Sequence, residues 1–151
     1  MRSNVRAHLG VVFCIATLAG AAVRTAQPLG DIQVRQAWIR WLPAGVPGGG
    51  YMTVFNTGPL TRVLTGAASP DYAAISFHRT HSTGGVNEMT PVDSIAIEPN
   101  IPVRFAAGGY HLMLMQPRRS LHPGDQVTIT LRFADGKSVD VSFPVRAGNS
   151  P

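Results

Sequence analysis

The sequence predicts an all-β domain, an antiparallel sandwich or barrel, on three observations. Helical signals are almost absent after the first 26 or so residues. Short runs of Val, Ile, Thr, Phe and Leu alternate with Gly, Pro, Asn and Asp clusters, the pattern of strands and turns. The last of these runs form a hairpin with strict two-residue alternation, Val127, Ile129, Leu131 and Phe133 against Thr128, Thr130 and Arg132.

Taken in order, the chain opens on a segment that reads as a secretory signal. Arg2, Arg6 and His8 form a positive start, and Leu9 to Val23 is an apolar run too short for a confident membrane span. Cleavage is expected after Ala26, with the Ala19-Gly20-Ala21 site as the alternative because Arg24 fits the Ala26 site poorly. Cys14 follows Phe13 and not a small residue, which disfavours lipid attachment. Residues 27–151 are then one domain with a core at about 32–145, large enough to fold without staples.

Within that domain the expected strands are Ile32 to Arg40, Tyr51 to Asn56, Arg62 to Ala68, Ala74 to Thr80, Ser94 to Ile97, Val103 to Phe105, His111 to Gln116, Gln126 to Phe133 and Val139 to Val145. Asp135-Gly136 supplies the turn of the final hairpin. Pro43 to Gly50 is a Pro/Gly loop, and the chain has no internal repeat.

Charge and cysteine content exclude several function classes. Loss of the leader removes Arg2, Arg6 and Arg24, leaving ten basic against eight acidic residues, about +2. The remaining Lys and Arg form no basic run, so nucleic-acid binding has no electrostatic footprint in the sequence. The single cysteine lies in the leader, so the mature chain would carry no disulfide, thiolate nucleophile or thiolate ligand. No Ser/His/Asp grouping or clustered carboxylate pair suggests hydrolysis, and the chain reads as a non-enzyme.

One constellation carries chemistry: His78, Met89, His111 and Met113, at the spacing H-x10-M-x21-H-x-M. Imidazole and thioether are neutral donors that suit copper(I). His111 and Met113 share a strand face, since residues i and i+2 point the same way, while Leu112 and Leu114 face the opposite side. His78 closes one strand and Met89 lies just past the Gly84-Gly85 turn. Each residue also has an ordinary reading: methionine in an apolar strand usually packs in a core, and a lone histidine is usually a surface or hydrogen-bonded group. His81 is expected in an exposed loop, with a fifth-ligand role as the alternative. Met115 is expected as core beneath the site, with substitution for Met113 as the alternative. Met52 reads as core, His122 as a solvated turn residue, Trp38 as a packing anchor, and Trp41 as either anchor or binding surface.

The spacing and its flanks resemble the periplasmic copper chaperones called PCu(A)C. Gly49-Gly50-Tyr51-Met52-Thr53-Val54-Phe55-Asn56-Thr57-Gly58 is similar to that family's early strand and turn. Phe77-His78-Arg79-Thr80 and Val86-Asn87-Glu88-Met89 resemble its first two ligand segments, and Gly108 through Met115 its most distinctive stretch. Leu121-His122-Pro123-Gly124-Asp125 and the terminal hairpin also fit, so the likeness spans about Ile32 to Val145. It implies a cupredoxin-like Greek-key β-barrel or sandwich, one copper(I) per chain held by His78, Met89, His111 and Met113, and a periplasmic location. It further implies delivery to the CuA centre in cytochrome c oxidase subunit II, or to a thiol-containing copper-assembly protein. The C-terminal Arg146 to Pro151 lacks the His- and Met-rich tail of some relatives, so a copper(II) site there is not expected.

Four other readings compete with this one. A blue-copper electron carrier needs a cysteine ligand. A copper oxygenase that uses an N-terminal histidine does not fit the predicted mature start. A periplasmic copper buffering or resistance protein, or a secreted β-sandwich binding module without metal, remains an alternative.

Overall fold

The computed structural model describes residues 30–43 and 46–148, the side chain of Thr83 excepted. The expected signal segment, including Cys14, lies outside the described residues, as does the end of the tail. Within them the chain forms ten strands and no helix: β1 (Ile32–Arg40), β2 (Gly48–Asn56), β3 (Arg62–Ala68), β4 (Tyr72–Thr83), β5 (Val86–Val92), β6 (Ile95–Ile97), β7 (Val103–Phe105), β8 (Tyr110–Pro117), β9 (Gln126–Phe133) and β10 (Ser138–Arg146).

The expected strands all form, and one was missed. β5 is exposed along most of its length, shows no apolar alternation and contains Pro91. Those are properties of an edge strand, which needs no buried face and tolerates proline. β5 pairs with β4 from Phe77↔Val92 to Thr83↔Val86 across the Gly84-Gly85 turn. Both glycines have positive φ, 61° and 82°, as a two-residue hairpin turn of this kind requires. This hairpin extends β4 beyond the expected end at Thr80, so His78 sits mid-strand and His81 lies in β4, not in a loop.

The strands order as β5-β4-β8-β7-β2-β1-β10-β9-β3-β6, with β8 also paired to β2. Two sheets result, joined by a short parallel pairing of β1 with β10 at Ile39↔Val145 and Arg40↔Arg146. The ladder ends on β5 and β6 and does not close, so the architecture is a cupredoxin-like sandwich, not a sealed barrel. Met52, Val54, Phe77, Leu112 and Leu114 from one sheet meet Leu64, Val127, Ile129, Leu131 and Phe143 from the other. Each such side chain contributes about 1.5–3 kcal/mol when fully buried. Met52 belongs to this core as expected, at 2% exposed.

Two polar devices fix the corners. Asn56 is fully buried and donates from Nδ2 to the carbonyls of Leu60 (2.7 Å) and Ile97 (2.9 Å), while its Oδ1 accepts from the Gly58 amide at 3.0 Å. Arg62 bridges Asp31, before β1, and Asp135, in the β9–β10 turn, at 2.7 and 2.6 Å. The Arg62 guanidinium holds the Asp31 carboxyl below its usual range.

Candidate metal centre

Core packing on one side of the larger sheet decides what the other side presents. Leu112 and Leu114 are fully buried, and Phe77 is 4% exposed, so alternation turns His111 and Met113 of β8 and Ser76, His78 and Thr80 of β4 to the outer face. The antiparallel register sets His78 directly opposite His111 and Ser76 opposite Met113. The two imidazole centroids lie 5.9 Å apart. On the far side of β4, Met89 of β5 pairs with Thr80, which also belongs to the outer face.

Met89, His111 and Met113 together line a cavity of about 230 Å³ with Thr80, Gly49 and Tyr51. His78 does not line that cavity; it stands beside it, across the strand pair from His111. The structure thus brings the four predicted residues to one face through three neighbouring strands. Among the described residues no group of three or more His, Cys, Asp or Glu could hold a metal, so any ion held here depends on the thioethers.

The imidazoles are oriented by their own neighbours. His111 is 8% exposed, and its Nδ1 donates to the Gly109 carbonyl at 3.2 Å, which leaves the Nε2 lone pair free. His78 Nε2 lies 3.0 Å from Ser76 Oγ, while its Nδ1 is buried without a hydrogen-bond partner. When Nε2–H donates to the serine oxygen, Nδ1 keeps a lone pair that accepts no hydrogen bond. A buried imidazole nitrogen in that condition is available as a donor to a metal ion. Burial, and next the neighbouring His111, push the His78 imidazole below its usual range, which favours the neutral, metal-ready form.

The remaining sequence expectations sort cleanly. His81 is exposed, and the unbroken β4–β5 register places it on the face opposite His78, which removes it from the cluster. Met115 shares the His111 face, opposite Ala74, and is half-buried there, outside the core in which it was expected. His122 is exposed in its turn, as read from sequence. Trp38 is not a core residue; it stacks on Tyr51 on the outer face at 4.8 Å. Trp41 packs against the core, and its Nε1 donates to the Leu121 carbonyl at 2.7 Å. Ser76 and Gly49 were missed. Ser76 was legible as half of a second i, i+2 pair, with His78. Gly49 was not, because its place beside Met113 is set by the pairing of β2 with β8.

An open cupredoxin-like sandwich with a His/Met cluster on one face defines the class of protein. Residues 32–145 match the family described as "Putative lipoprotein LpqE-like". The chain belongs to that family, which is the PCu(A)C family of the sequence resemblance. It is 30% identical to "Putative lipoprotein Lxx21020" of Leifsonia xyli subsp. xyli (strain CTCB07), over 91% of this chain and 83% of that one. Among solved structures it is similar to the copper-bound PCuAC domain from PmoF2, at 25% identity and a TM-score of 0.66 over 82% of this chain and 98% of that one. The solution structure of apo-DR1885 from Deinococcus radiodurans matches at 28% identity and a TM-score of 0.62, over 97% of each chain.

Proposed function

We propose that this protein is a periplasmic copper(I) carrier that binds one ion per chain through His78, Met89, His111 and Met113 and hands it to an acceptor of higher affinity. The observation that carries this reading is the facing His78–His111 pair, each ring with one nitrogen in a hydrogen bond and the other left for a metal. Support also comes from the copper-bound state of the related PmoF2 domain and from the copper(I) form of DR1885.

The donor chemistry suits transport. Thioethers are soft and disfavour copper(II), so a His2Met2 set selects the reduced ion. All four donors are neutral, and the ion keeps its single positive charge. A thiolate acceptor neutralises that charge and binds copper(I) more strongly, so transfer to a cysteine-bearing assembly protein, or to the CuA site of oxidase subunit II, runs downhill. Met89 is 49% exposed at the sheet edge, which leaves one donor accessible to an incoming ligand. That accessibility favours delivery over sequestration.

The test is an anaerobic copper(I) titration of the mature chain against a chromophoric chelator, followed by mixing with a dithiol acceptor domain. Saturation at one ion per chain and transfer to the dithiol are expected. Absence of binding would refute the metal reading, and retention of copper against the dithiol would favour buffering. Export is expected to remove residues 1–26 without lipidation of Cys14, which intact-mass analysis of the exported protein reads directly.

A further inference from the structure

The outer face that presents the His/Met cluster carries a second feature. In register, one row across five neighbouring strands reads Arg146, Arg40, Gly49, Met113 and Ser76. Strands lie about 4.8 Å apart, so Arg40 stands only about 10 Å from Met113 along the sheet. Glycine between them leaves the floor of that row without a side chain. Beside Arg40 opens a cavity of about 490 Å³ lined by Arg104 and Arg146 as well as Trp38, Tyr51 and Gln36. Arg40 and Tyr51 also line the cavity of the metal cluster, so the two cavities adjoin on the outer face and together form a trough.

Two of the three guanidiniums, those of Arg40 and Arg146, are held against aromatic faces, and among the described residues none of the three pairs with a carboxylate. Arg40 lies over the Tyr51 and Trp38 rings at 5.4 and 5.9 Å, and Arg146 over Trp38 at 5.7 Å. Aromatic faces hold the cations without satisfying their N–H donors. The ion pairs among the described residues involve only Arg62 and Arg119. Every one of the chain's eight acidic residues is described, and none lines either cavity. Arg40 Nε is moreover buried without a partner. Held, planar and unneutralised guanidiniums are suited to bidentate capture of carboxylates.

We propose that this trough is a docking site for an extended acidic segment of a partner protein, whose Asp or Glu carboxylates pair with Arg40, Arg104 and Arg146. A small anion would fill one end of the trough. An extended chain anchored there spans the distance to Met113 and sets its own side chains against the His/Met cluster. The idea rests on the copper-carrier reading only for what such a segment would receive; docking itself needs no metal.

The test uses a fluorescein-labelled hexaglutamate peptide and the mature chain, apo and copper-loaded, at low ionic strength. The peptide is expected to bind, and the double variant Arg104→Gln/Arg146→Gln to bind about tenfold or more weakly, with thermal unfolding verifying its fold. Arg132→Gln, on the exposed side of β9, is expected to bind as the parent does. Equal affinity in the double variant, or an equal loss in Arg132→Gln, would overturn the proposal. Displacement of the peptide by an equal concentration of inorganic phosphate would overturn it in favour of a small-anion site. Copper loading of the double variant is expected to match the parent, and its loss would also overturn the proposal, because the arginines would then be supporting the metal cluster. A parent chain that binds the peptide but no copper would refute the carrier reading while supporting this one.

Discussion

His78 and His111 face each other across β4 and β8 as direct register partners, with ring centroids 5.9 Å apart. In the proposed copper(I) reading these two imidazoles are half of the donor set. Replacement of either by alanine is expected to weaken copper(I) binding at least about a hundredfold, beyond the 10- to 100-fold usual for outer-shell changes. Met115→Leu is expected to leave affinity unchanged. Chelator competition measures both, and a Met115→Leu effect equal to that of Met113→Ala would show that Met113 is not the only β8 thioether the ion needs.

Ser76 acts through His78. Removing its hydroxyl frees the imidazole to rotate and to exchange tautomers, so Ser76→Ala is expected to lower copper affinity about 10- to 100-fold with the fold intact. Ser76→Thr keeps the oxygen and should recover most of the loss. Parent-like affinity in Ser76→Ala would show that the 3.0 Å contact does not orient the ring.

Oxidation should separate the methionines by exposure. Met89 is 49% exposed and Met52 is 2% exposed, so peroxide is expected to convert Met89 to sulfoxide first and Met52 last. The sulfoxide is no longer a soft thioether, so copper affinity should fall in step with Met89 oxidation. Peptide mass mapping of the apo chain, with chelator competition on the same samples after the peroxide is removed, reads both effects.

Stability should rest on the buried corner at Asn56. Asn56→Ala leaves two carbonyls and the Gly58 amide without their side-chain partner, at a cost of about 1–3 kcal/mol for each buried group left unsatisfied. Phe143→Ala, in the centre of the core, is expected to cost about 3–5 kcal/mol. Denaturant unfolding compares the two, and an Asn56→Ala variant as stable as the parent would dismiss the corner as a structural device.

The Asp31–Arg62 pair gives a pH signature. The folded-state pKa of Asp31 is lowered, so its contribution to stability is full above the ordinary carboxylate value and is lost as pH falls through the lowered one. Asp31→Asn is therefore expected to melt below the parent at neutral pH, and the gap should close in acid. A gap that stays constant from neutral pH to about pH 2, well under the ordinary carboxylate pKa, would break the link to ionisation.

Much of this molecule could be read before folding. The alternation of Val127, Ile129, Leu131 and Phe133 announced β9, and all four are buried. The spacing of His111 and Met113, against Leu112 and Leu114, announced a face, because period-two geometry is local. β5 stayed hidden because an edge strand is shaped by its one neighbour and needs no apolar pattern of its own.

The amino-acid order by itself determined most of the strands, the family and the four candidate donors, since backbone alternation and side-chain chemistry are properties of short segments. Only the tertiary structure decided which residues stand together. Register placed His78 against His111 and Met89 of β5 against Thr80. It also drew Arg40, Arg104 and Arg146, scattered over more than a hundred positions, into one unneutralised cluster. Hydrogen-bond pairing between distant strands sets those neighbours, and no local pattern encodes it.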